Sequence, residues 1–139
     1  MQGYRDLRVY QNAIRLAMEI YNETKNFPKE ERYSLTDQIR RSSRSVGANI
    51  AEAYRKTQYP KMFVSILADA DGETTETQVW LDFSIDCGYL SLERHKELLA
   101  GYEEVGKMLC SMITHPEKFY RYHLPPGDCL LPPCNSHPY

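Results

Sequence analysis

"QIRRSSRSVGANIAEAYRK", residues 38–56, decides the fold. With Leu35 just ahead of it, the stretch places Leu35, Ile39, Ser43, Val46, Ile50 and Ala53 at steps of three and four, the repeat of one helical face. A helix over about 35–56 is predicted. Ser42, Ser43, Ser45, Gly47, Ala48 and Ala51 crowd that face and its flank, and residues this small let a neighbouring backbone approach closely. Gly47 would cost about 1 kcal/mol relative to alanine in an exposed helix, so close packing is the expected reason for it.

Three more helices frame this one. Upstream, Asp6 is the expected N-cap, and Leu7, Tyr10, Ile14, Ala17 and Tyr21 form the expected seam. Pro28 breaks that helix, and Ser34 with Asp37 resembles a capping box for the next. Downstream, Phe63, Leu67, Ala70, Thr74, Thr77, Leu81 and Ile85 keep the same rhythm to a stop near Gly88, with Gly72 inside the helix. Ser91 then caps a fourth helix with the seam His95, Leu98, Tyr102, Val105, Leu109 and Met112, closed by Pro116. Four amphipathic helices with short connections predict an all-α, antiparallel up-and-down four-helix bundle over residues 1–120. Residues 121–139, rich in proline and holding Cys129 and Cys134, are expected to be an extended or disordered tail.

The 139 residues suit one domain. No apolar stretch is long enough to cross a bilayer, and the N-terminal residues carry no signal-peptide pattern, so a cytoplasmic protein without membrane contact is expected. Cys87, Cys110, Cys129 and Cys134 are then expected to be reduced thiols. The net charge of −2 conceals a division. Residues 1–58 hold 11 Lys/Arg against 7 Asp/Glu, net +4, whereas residues 59–120 hold 5 against 11, net −6. A dedicated nucleic-acid binder usually carries a basic excess throughout, because affinity comes largely from neutralising phosphates.

Catalytic patterns are missing from the sequence. A di-iron bundle needs Glu-x-x-His steps, and neither His95 nor His115 sits in one. His123, Cys129, Cys134 and His137 have metal-binding atoms but lack a Cys-x-x-Cys knuckle. No phosphate loop, G-x-S-x-G elbow or H-E-x-x-H is present. Neither enzymatic activity nor a cofactor nor a metal is expected.

Charged stripes are the remaining signal. Arg40, Arg44, Gly47, Ala51 and Arg55 share one stripe of the second helix, with Arg41 beside it and Lys56 at its end. On the third helix Asp69, Glu73, Glu76 and Trp80 form an acidic stripe with one aromatic. The two are complementary, within a subunit or between subunits. Pairing is the favoured role, since partly buried arginine usually has a carboxylate partner; phosphate contact by Arg40, Arg41, Arg44, Arg55 and Lys56 is the alternative. Asn49 and Glu52 are expected as polar contacts that hold the bundle or an oligomer together, the alternative being part of a ligand site. Eleven tyrosines, four phenylalanines and one tryptophan exceed the needs of a small bundle interior and point to an oligomer.

The segments "YRDLRVYQNAIRLAMEIY", "FPKEERYSLTDQIRRSSRSVGANIAEAYRK", "ETQVWLDFSIDCGYLS" and "GKMLCSMITHPEKF" together span about residues 4–119. In them the chain resembles the four-helix-bundle family encoded in intervening sequences of bacterial large-subunit ribosomal RNA genes, to which the accessory proteins of diversity-generating retroelements are related. The second segment carries most of the resemblance, through Phe27, Pro28, Glu31, Leu35, Gln38, Arg40, Arg41, Ser45, Asn49, Ile50, Ala51 and Glu52. The resemblance implies a homopentameric ring of four-helix bundles with no known enzymatic activity, and a scaffold role is the leading expectation. It also implies, as the alternative, an accessory factor that binds RNA or DNA and a reverse-transcriptase-like partner. The sequence differs from the family in having Ala53 where glycine usually follows Asn-Ile-Ala-Glu, in its slightly negative charge, and in its Pro/Cys tail.

Overall fold

The computed structural model describes residues 3–119; the predicted tail, with His123, Cys129, Cys134 and His137, lies outside the described residues. The predicted four-helix bundle is what the described residues form. The helices are α1 (Arg8–Thr24), α2 (Leu35–Tyr54), α3 (Pro60–Asp86) and α4 (Leu92–Thr114), with short 3-10 turns at Tyr4–Asp6 and Lys29–Glu31. Helix α2 packs on α1 and α3, and α4 packs on α3 and α1, so α1 and α3 stand at opposite corners. None of the helices is long and apolar enough to cross a membrane, among the described residues.

The predicted face of α2 is buried in full: Leu35, Ile39, Ser43, Val46, Ile50 and Ala53, joined by Thr36, Ser42 and Gly47. The small residues work as expected. The hydroxyls of Ser42 and Thr77 lie 2.9 Å apart in a buried hydrogen bond between α2 and α3. On the other flank, a Cβ at Gly47 would come within 2.7 Å of Ile14 Cδ1 on α1. Tyr102 of α4, fully buried, closes the centre of the core, and burial pushes its phenol well above the ordinary value while the Ser43 hydroxyl opposes that shift.

Several details correct the sequence reading. Asp6 does not cap α1: it belongs to the 3-10 turn, Leu7 takes the cap position without a side-chain bond, and the Tyr4 ring meets Tyr10 edge-on at 5.0 Å. The buried face of α1 is Val9, Ala13, Leu16, Ala17, Ile20 and Thr24, so the expected seam is rotated. Two apolar stripes run along this helix, and the one bearing Tyr10 and Tyr21 lies at the flank, where a ring can be covered and its hydroxyl hydrated. Ser34 precedes α2 as expected but makes no capping bond. Near the end of α3 the core position is Ser84, with Ile85 half-buried.

Caps fix the turn between α3 and α4. Gly88, with φ of 79°, follows the last turn of α3; its N–H donates to Ile85 O and that of Tyr89 to Ser84 O, the paired bonds that close a helix through a left-handed residue. Ser91 Oγ accepts from Arg94 N to start α4. The Arg94 side chain then ties α4 to α1 through Glu23, at 2.7 Å, and Glu19, at 3.2 Å, with Glu97 of its own helix as a third partner.

The helical glycines differ in what surrounds them. A Cβ at Gly101 would lie 2.5 Å from Cδ2 of Leu16, which is 1% exposed and has no room to move. At Gly106 the first neighbour is Asp71 Oδ1 at 3.8 Å, an ordinary contact. Gly101→Ala should therefore lose about 1–3 kcal/mol to overpacking, against a helix-propensity gain of about 1 kcal/mol. Gly106→Ala should gain about 0.5–1 kcal/mol. Thermal unfolding should rank Gly106→Ala above the parent chain and Gly101→Ala below it; the reverse order would contradict the packing of α1 against α4.

Candidate functional site

The arginines of α2 fall, by helical register, outside its buried face. Arg41 and Glu76 of α3 form an ion pair at 3.0 Å, and Arg41 also donates to Gln38. This is the expected basic-to-acidic match between α2 and α3. Glu76 Oε1 accepts from Trp80 Nε1 as well, at 3.3 Å, so one carboxylate oxygen joins Arg41 to the indole.

Arg40 and Arg44 are placed differently. Arg40 Nε donates to Thr24 Oγ1 at 2.8 Å, and its guanidinium lies over the Tyr21 ring at 4.8 Å. Arg44 faces the same ring at 5.8 Å. Tyr21 is a cation–π platform for both, and the favoured acid partners on α3 are not what these two arginines meet within the chain.

Arg40, Arg41 and Arg44 converge with Arg32 on an open groove of about 570 Å³, with Ser45 and Ala48 among its lining. Tyr33, 84% exposed, stands at its edge with the Arg32 guanidinium 5.3 Å from the ring centre. Asp37 is the one carboxylate in the lining. Thr36 also lines the groove; it is 6% exposed and its buried Oγ1 has no hydrogen-bond partner. Sequence reasoning missed Tyr21, Arg32, Tyr33 and Thr36; Arg32 and Thr36 continue backwards the four-residue step of Arg40 and Arg44, a signal that was available, whereas no spacing links Tyr21 of α1 to them.

The remaining candidates lie elsewhere. Arg55, exposed, is eleven residues beyond Arg44, about 16 Å along a helix axis, and neither it nor half-buried Lys56 lines the groove. Asn49 is half-buried, whereas Glu52 and Asp69 are exposed. Glu73 is the electrostatically unusual acid. Its Oε2 is buried without a partner, and burial, followed by repulsion from Glu76, raises its pKa above the ordinary 4.5 although Arg41 pulls the other way. Cys87 and Cys110 are free thiols, and no cluster of metal-ligating side chains occurs among the described residues.

The family model of the 23S rRNA-intervening sequence protein matches residues 5–111. A crystal structure of a protein of unknown function from the S23 ribosomal protein family of Bacteroides thetaiotaomicron superposes with a TM-score of 0.69 at 32% identity, covering 76% of this chain and 95% of that one. No curated protein shows significant similarity to the chain.

A raised carboxyl pKa in the folded state means that the fold takes up the proton more readily than the unfolded chain. Glu73 thus costs stability at neutral pH, and the cost fades as pH falls through its raised pKa towards the ordinary value. Glu73→Gln should raise the melting temperature at pH 7 by more than at pH 4. An equal shift at both values would show that the Glu73 charge is not penalised.

Proposed function

The chain belongs to the 23S rRNA-intervening sequence protein family, and from that premise we propose that it is a non-enzymatic, homo-oligomeric assembly protein, a ring of five copies that acts as a scaffold. The observation that carries this reading is the placement of its exposed apolar side chains. Ile14 and Met18 of α1 are 38% and 53% exposed, and Val79 and Phe83 of α3 are 43% and 52% exposed. Each pair is spaced i, i+4 and so shares one face of its helix. Scattered surface hydrophobes are ordinary, but paired ones on two elements suggest contact surfaces.

The two pairs belong to helices at opposite corners of the bundle and so form two separate surfaces. A contact between α1 of one copy and α3 of the next is heterologous, and a heterologous contact generates a ring when the rotation closes. Trp80, half-buried and 5.8 Å from the Phe83 ring, extends the α3 surface with the kind of residue that interfaces favour. The number five comes from the family resemblance. So does the non-enzymatic part of the reading.

Light scattering on a sizing column is the test. The parent chain should run at five times its 16.2 kDa, and Phe83→Glu, which places a charge in the proposed contact, should run as a single chain with its helical content retained. A parent chain that is monomeric at micromolar concentration would overturn the reading.

A further inference from the structure

We propose that the groove on the outer side of α2 is a binding site for a nucleotide phosphate, presented by a free nucleotide or by a single strand. Four guanidinium groups, those of Arg32, Arg40, Arg41 and Arg44, enter its lining, against Asp37 alone. Among the described residues only Arg41 of the four has a carboxylate partner, Glu76, and that pair is itself exposed on the arginine side at 54%. Like charges gathered in this way repel one another, and an anion between them relieves the repulsion. Arginine is the side chain suited to phosphate oxygens, because its planar fork can donate two parallel hydrogen bonds.

The positive charge continues beyond the groove. An adjoining cleft of about 190 Å³ shares Arg32, Thr36 and Arg40 with it and adds Lys25 and Lys29. The unpaired cations of the two together point to an anionic ligand that carries more than one phosphate.

The other lining residues narrow the class. Tyr33 offers an exposed ring on which a base can stack, in the manner of single-strand sites. Asp37 would repel phosphate but accepts well from a sugar hydroxyl. Ser45 and Ala48 are too small to obstruct the approach of a strand. The site lies within one chain and does not depend on the proposed ring.

Three probes test it by titration calorimetry at low salt: inorganic pyrophosphate, adenosine triphosphate and a ten-nucleotide single-stranded RNA. Binding should weaken by about tenfold or more in Arg32→Ala and in Arg44→Ala, as expected for loss of a charge-assisted hydrogen bond, and remain unchanged in Arg55→Ala. Tight binding of RNA with a slope of roughly −0.7 per phosphate contacted in log affinity against log salt would assign the ligand to a strand; equal binding of the triphosphate would assign it to a free nucleotide. The proposal is overturned if none of the three probes binds at millimolar concentration, or if the arginine variants bind as the parent does. It is also overturned if Arg44→Glu alters the native mass while probe binding is unaffected, because the groove would then be a contact between copies.

Discussion

Close approach of α2 to α1 and α3, with Tyr102 of α4 reaching its inner face, is the constraint on which the rest of the molecule depends. Ser42 meets Thr77 through paired hydroxyls, Gly47 leaves room for Ile14, and Ser43 lies by the buried Tyr102. At Ser42 and Ser43, both fully buried, a larger side chain would force the helices apart, and at Gly47 it would displace the end of Ile14. Helical register sets the outer surface: the long cationic side chains of the stretch fall outside the buried face. The packing of the core and the arginine groove are two sides of one helix.

Charge is handled in three ways across this scaffold. Arg94 is held by carboxylates from α1 and α4 and works as a clamp between those helices. Arg41 and Glu76 form a more exposed pair, and such pairs add only about 0–1 kcal/mol, so its effect is better described as orienting Trp80 and the α2–α3 edge than as stabilising the fold. Arg40 and Arg44 are spread over the face of Tyr21, where the ring attracts the cations without neutralising them. Their full charge remains available at the surface. Beside the Arg41 pair, Glu73 is kept partly out of water against its own electrostatic preference.

Much of this could be read before any coordinates. The whole seam of α2 was legible because its apolar and small residues recur without competition from a second stripe. Gly47 as a point of close packing followed from its helix penalty alone. In α1 two apolar stripes compete, and only tertiary packing selects Val9, Ala13, Leu16 and Ile20 over Tyr10, Ile14 and Tyr21. The pairing of Arg41 with an acid of α3 was implied by complementary stripes. The groove was legible only in part: Arg32 and Thr36 repeat the four-residue step of Arg40 and Arg44, but nothing in the spacing brings Tyr21 of α1 under those two arginines.

The central claim about assembly is that α1 of one copy meets α3 of the next. Mixing two charge variants, Met18→Glu and Phe83→Glu, tests it most directly, because each variant keeps one half of the contact that the other has lost. Light scattering of an equimolar mixture should show a two-chain complex absent from either variant alone, with one intact α1-to-α3 contact. A mixture in which each variant runs as it does alone would contradict the heterologous interface and the ring built from it.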